Sequence, residues 1–245
     1  MSALSILQLY PDELGVAGDR GNVMAVRERL RRAGHEVTVA EHAVGRKLPA
    51  TTDLVIVGNG PLSAMRNVHA DLLAAADTLR GYAASGVPLF AYGSGAELFG
   101  HGITQLDGAV LEGLGILPFS AERIPTRKVG YVLTETKFGG LVGFEDNASA
   151  WHLDRPADAF GVLLEGGGNS DGNAEGVLVG SLVGTQVGGP VLPLNPLLTD
   201  AIIGMMSGNS GFEYAPSPSV AGLDRYAERA RDVIVSHAKH VFSRI

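Results

Sequence analysis

Cysteine is absent from all 245 residues. That excludes thiolate nucleophiles, disulfides and thiolate metal sites, and it leaves the redox compartment open because no thiol needs protecting. Long apolar runs are missing too, and no stretch approaches the roughly 20 residues a membrane-spanning helix needs. Lys and Arg number 19 against 26 Asp and Glu, a formal charge of -7. Such a chain has no broad basic field for nucleic acid and no polybasic segment for an anionic membrane. A small-molecule or protein partner fits better. The chain reaches apolar residues 4–10 without a basic stretch and then meets Pro11 and Asp12, so its start reads as a first strand rather than a secretory leader. A cytoplasmic location is the expectation.

With 45% hydrophobic and 18% charged residues, the chain can bury one large core. Strand-like runs recur at residues 5–9, 36–40, 53–57 and 87–92, and helical patterns lie at 22–33 and 69–84. This alternation predicts right-handed βαβ units on a mostly parallel sheet flanked by helices, an α/β fold. Beyond Gly102 the texture becomes strand-rich, with short apolar runs at 129–134, 161–164 and 176–182 between Gly, Asn and Asp turns. These strands are expected to extend the sheet or form an antiparallel subdomain against it. The division expected is a main domain over 1–206, a Gly-, Ser- and Pro-containing linker at 207–220, and a tail at 221–245. In the tail Leu223, Tyr226, Ala230, Val233, His237 and Val241 recur at helical spacing, which predicts an amphipathic helix that packs on its own domain or, as the second choice, docks a partner.

The most telling segment is Pro88-Leu89-Phe90-Ala91-Tyr92-Gly93-Ser94-Gly95-Ala96-Glu97-Leu98-Phe99-Gly100. An apolar run enters a Gly-rich turn and leaves as a helix, the geometry that lifts a nucleophile above an α/β sheet. Its apex is Gly93. Ser94 lies one position later, where the backbone should turn its side chain away and offer its N–H as an oxyanion donor; Tyr92 and Ala96 do not complete a hydrolase elbow around it. None of the seven histidines is followed by Gly-Pro, and His237 with His240 on the tail helix lacks a third ligand, so no metal site is expected. Asp19 and Arg20 read equally as helix caps or as site residues. The run Gly166-Gly167-Gly168-Asn169-Ser170-Asp171-Gly172-Asn173-Ala174-Glu175-Gly176 has neither the Gly-Lys-Ser/Thr ending of a P-loop nor an EF-hand register, and predicts a hairpin loop.

Leu9-Tyr10-Pro11-Asp12, Gly18-Asp19-Arg20-Gly21-Asn22, Gly113-Leu114-Gly115-Ile116-Leu117, Arg127 with Gly130, Gly143-Phe144-Glu145, Gly166-Gly167-Gly168-Asn169, and Gly184-Thr185 through Gly189-Pro190 to Asn195-Pro196 stand in one order. Together they resemble the cobyric-acid-synthase-like class I glutamine amidotransferases, nearest their GatD-type branch. The resemblance implies a flavodoxin-like amidotransferase fold, needs no cofactor, and implies a reaction in which a cysteine attacks the glutamine amide and a histidine moves the proton. In the GatD branch the ammonia passes to a Mur-ligase-like, MurT-type partner that amidates a cell-wall precursor. By the same resemblance the nucleophile position falls on Gly93 and the base position on Gly188. The Phe-Glu-Asn-His stretch of the family is here Phe144-Glu145-Asp146-Asn147, and the Gly-Gly turn that helps form the oxyanion hole is Gly58-Asn59-Gly60-Pro61. Arg127 stands where the family contacts glutamine. The binding residues expected are therefore Arg127, Gly58, Gly60 and Ser94. Three functions stay open: a non-catalytic scaffold or regulatory subunit, an enzyme with unconventional residues such as Ser94, and a sensor of glutamine or another small carboxylate.

Overall fold

In the computed structural model, which describes residues 3–241 and 243–244, with side chains through Ala238, the first half forms β1 (Leu4–Leu9), α1 (Arg20–Arg32), β2 (Val37–His42), β3 (Leu54–Val57), α2 (Leu62–Ala74), α3 (Ala76–Ala84), β4 (Leu89–Tyr92) and α4 (Ser94–Phe99). The second half adds β5 (Gly102–Thr104), β6 (Val110–Glu112), β7 (Phe119–Thr136), β8 (Gly139–Leu153), β9 (Gly161–Glu165), β10 (Ala174–Glu175), β11 (Val177–Val179) and β12 (Leu182–Thr185). It ends with α5 (Val191–Leu194), α6 (Pro196–Ser210), α7 (Ala221–Val241) and β13 (Ser243–Arg244).

The central sheet runs β11-β12-β4-β3-β1-β2, with every pair parallel except β11 against β12. Its middle strands are apolar throughout because both faces are covered. Ile6, Ile56, Phe90 and Val183 pack toward α1 and α6, whereas Leu7, Val55, Val57 and Leu89 pack toward α2 and α3. The second sheet is built on the long β7/β8 hairpin, with β9 and β10 on one side and β5 and β6 on the other. The strand-rich half thus does both things expected of it: β11 and β12 widen the parallel sheet and the other strands form a separate layer.

Some boundaries differ from the sequence reading. The helix expected at 69–84 begins at Leu62, directly after Pro61, and divides at Ala75; nothing in the Ala74-Ala75-Ala76 run itself ends a helix. The run at 176–182 is a tight hairpin between β11 and β12. The linker is shorter than 207–220, because α6 continues to Ser210 and stops at Gly211, whose φ of 70° is the left-handed conformation glycine adopts without strain.

The tail is helical, but its inward stripe is not the expected one. Leu223, Tyr226, Val233 and His237 face outward, while Ala227 and Ala238 are buried and Ile234 is half-buried. Val241 and His240 lie outside the described side chains. The helix is rotated by its polar anchors: Arg29, buried on α1, pairs with Asp200 on α6 at 2.9 Å and with Asp224 on α7. Farther along, Arg231 donates to Asn195 and, at 2.8 Å, to the Gly140 carbonyl. Each anchor satisfies a charge that would otherwise be poorly solvated, so it outweighs the apolar stripe in fixing the helix's rotation. Replacing Arg29 with Met should lower unfolding free energy by about 2 kcal/mol, because two carboxylates lose their partner in a partly buried setting. A urea titration reads this as a lower midpoint with an unchanged slope. Among the described residues, no helix is long and apolar enough to cross a membrane.

Candidate active site

The carboxyl ends of β3, β4 and β12 converge beneath a cleft of about 1370 Å³, the position where open α/β sheets bind ligands. Asn59, Gly60 and Pro61 come from the turn after β3, Gly93 and Ser94 from the turn after β4, and Gly188 to Pro190 from the loop after β12. Arg123, Arg127, Phe144 and Asp146 enter from the β7/β8 hairpin, and Ala227, Ala230 and Ile234 of α7 close one side. The middle turns of α7 and the loops of both sheets therefore share one cavity.

At its floor the elbow is fully formed. Gly93 has φ 53° and ψ -133°, the strained strand-to-helix corner that the sequence predicts. Beside it, Gly95 sits against the Gly58 carbonyl with no room for a Cβ atom, and Gly58 in turn would place a Cβ 2.9 Å from Cβ of Asp19. These glycines let two turns approach more closely than side chains allow.

Ser94 does not leave a free oxyanion donor. Its N–H donates to Oδ1 of Asn59 at 2.9 Å, and its hydroxyl accepts the Gly60 N–H at 2.8 Å. The side chain expected to turn away is thus turned toward the β3 turn, because Gly60 offers it an otherwise unpaired donor. Of the expected binding residues Gly60, Ser94 and Arg127 line the cleft, while Gly58 lies behind it, packed on Asp19 and the Leu14 carbonyl. Arg127 reaches the cleft wall but is paired with Asp146. The carboxylate that replaces an amide in the resembling pattern therefore occupies the guanidinium expected to hold a substrate carboxylate.

Sequence reasoning missed two groups. Glu97, one helical turn past the apex, is buried and accepts Arg123 through both carboxylate oxygens at 3.1 and 2.7 Å and the Trp151 ring N–H at 3.3 Å. An acid inside an apolar helix is a legible signal, but its partners lie 26 and 54 residues away, which no local pattern gives. Asn59 is the other, read only as one member of a turn. At the position the resemblance assigns to the base, Gly188 donates its N–H to the Phe144 carbonyl at 2.8 Å, and an added Cβ would meet only that oxygen, at 3.8 Å. Space for a larger residue exists there. Just below, the Gln186 N–H and the Thr185 hydroxyl donate to buried Glu175, which burial pushes up to about 7. The 166–176 run is a hairpin turn, closed by Asn169, whose side chain pairs with both N–H and carbonyl of Gly176. Among the described residues no three His, Asp or Glu side chains gather as metal ligands.

Asp19 stands at the start of α1, but its side chain makes no capping bond and instead accepts the Ala17 N–H at 3.3 Å. Asn22, three residues on, clasps the loop after β12 through the Gly189 carbonyl and the Leu192 N–H.

The CobB/CobQ-like glutamine amidotransferase domain matches residues 6–195, so the chain belongs to that family. The GatD subunit of lipid II isoglutaminyl synthase (glutamine-hydrolyzing) from Staphylococcus aureus is 28% identical over 97% of both chains. A cobyrinate a,c-diamide synthase from Halobacterium salinarum is 32% identical over 51% of this chain and 30% of its own length. Among solved structures, a glutamine amidotransferase (TM-score 0.53, 16% identity, 82% of this chain and 98% of that one) and the glutaminase domain of Trypanosoma brucei CTPS (TM-score 0.54, 12% identity, 87% and 96%) share the fold.

Burial raises the Asp19 carboxyl from 3.8 to about 6, against the smaller opposing effect of the backbone N–H groups of Ala17 and Asn59. The native state therefore holds a proton that the unfolded chain has released between those pH values, so Asp19's contribution to stability falls as pH rises through this window and stays low above it. Asp19→Asn should flatten that part of the profile: its unfolding midpoint relative to the parent should rise from pH 4 to pH 6 and level off beyond.

Proposed function

We propose that this chain is the non-catalytic, amidotransferase-shaped subunit of a Mur-ligase-like, MurT-type partner acting on a cell-wall precursor in the cytoplasm. The observation that carries the reading is Gly93: the elbow keeps its strained corner while the apex bears no side chain, and the chain contains no cysteine to take its place. Covalent amide hydrolysis needs a nucleophile and a base within hydrogen-bond reach, and Gly188 supplies no base. Loss of a single member of such a pair ordinarily costs several orders of magnitude in rate. Similarity to a GatD subunit along nearly the whole chain supports the partner assignment. Retention of the elbow, the glycine contacts and the clasp of Asn22 on the loop after β12 supports a role that uses the shape.

The alternatives have less support. An enzyme using Ser94 needs a hydroxyl free to attack, whereas this one accepts Gly60 N–H and, among the described residues, no histidine lines its cleft. A sensor of small carboxylates needs a free Arg127, which Asp146 engages.

Purified with its ligase partner, the chain should co-elute as a complex. Ammonium salt, not glutamine, should then support amidation, and ammonia release from glutamine should equal a buffer blank. Glutamine-dependent amidation, or failure to associate with the ligase encoded in the same cell, would overturn the proposal.

A further inference from the structure

The inner end of the cleft is filled from within. A Cβ atom at Gly93 would lie in contact with Oδ1 of Asn59, 2.7 Å from its Cγ and 3.1 Å from its Cβ. Atoms do not pack this closely, so any side chain at the apex and the present position of Asn59 exclude each other. The same carboxamide accepts the Ser94 N–H at 2.9 Å, a donor that would otherwise point at the reacting atom. One side chain thereby takes both the nucleophile's volume and an oxyanion donor.

The backbone that carries Asn59 is held in place. Its backbone carbonyl accepts the Val16 N–H at 3.3 Å, and the adjoining Gly60 N–H is tied to Ser94. Behind the turn, the buried Asp19 packs on Gly58 and is itself held to Ala17. The residues 58–61 turn is therefore clamped from the β4 side by Ser94 and from the α1 side by Asp19.

We propose that Asn59 is a built-in occupant of the reaction pocket, an autoinhibitory contact that closes the inner cleft to a second carboxamide, with Asp19 as the residue that positions the turn carrying it. The contact turns two separate losses into one coupled change: glycine at 93 is required by Asn59 at 59. The outer cleft, between Arg66, Phe144 and α7, stays open and is the part left for a ligand or a partner's side chain. The inference rests on the reading of the cleft as a lapsed amidotransferase site, but its test needs neither partner nor activity.

The test is a double-substitution cycle on the full chain, read by thermal and urea midpoints. Gly93→Ala in the parent should lose stability through both backbone strain and the clash; in an Asn59→Gly background only the strain remains, so the drop should shrink to about half or less. Equal drops in the two backgrounds overturn the proposal. A Gly93→Ala variant that folds only when Asn59 is also replaced supports it. Should Gly93→Ala fold in neither background, amide hydrogen exchange on the variants at 59 alone decides. Exchange at Ser94 N–H should accelerate roughly tenfold or more in Asn59→Gly and stay slow in Asn59→Asp, which keeps the acceptor. Unchanged protection in Asn59→Gly overturns it. For Asp19, Asp19→Ala should speed exchange at Ser94 N–H as Asn59→Gly does; protection equal to the parent would remove Asp19 from the proposal. A failed cycle with a ligase complex still formed leaves the subunit reading standing, and the reverse outcome separates them in the other direction.

Discussion

Backbone meets backbone where the turn after β3 lies on the turn after β4, and most of the site follows from that approach. Gly95 touches the Gly58 carbonyl, Gly58 touches Asp19, and Gly60 bonds to Ser94. Two turns at the ends of adjacent parallel strands are thereby locked into one unit at the top of the sheet. Any residue larger than glycine at these contacts would push the turns apart, since a packed interior cannot absorb an added carbon without moving backbone. The unit explains why the elbow has kept its corner although its apex has no side chain: the conformation is held by neighbours rather than by chemistry.

Around this unit the polar residues act as fasteners between layers. Tyr10, the one non-glycine residue with positive φ among those described, donates to Asp71, which also binds the His42 ring and the Gly45 N–H, joining β1 and β2 to α2. Glu97 and Arg123 join α4 to β7, Asn195 joins α6 to β8 through both N–H and carbonyl of Val142, and Arg29 joins α1, α6 and α7. Arg29, Glu97 and Arg123 are thus each paired where they enter the interior. In the cleft wall Glu97 is paired with Arg123 and Asp146 with Arg127, whereas Arg66 makes no ion pair among the described residues, so shape and this one cation are what the cleft offers a ligand.

Much of this was legible in the chain itself. The apolar run ending in Gly93 defines the elbow, the ordered glycine and proline landmarks define the family, and the 3.6-residue period of the tail defines α7. These features are local or sequential, so a linear reading reaches them. The tail's inward face was misread because Arg29 and Arg231 choose it through partners on other elements. Asn59 passed as an ordinary turn residue because its contact with Gly93 spans two strands, and Arg127 looked available because Asp146 meets it only across the β7/β8 pairing.

The amino-acid sequence by itself determined the fold class, the absence of cysteine and the glycines at 93 and 188, since hydrophobic period and residue type need no coordinates. Only the tertiary structure decided that the Asn59 side chain lies against the apex at Gly93. Volume and hydrogen-bond capacity are shared among residues far apart in the chain, and which side chain takes a vacated space depends on how two turns are packed, a relation that no spacing along the chain records.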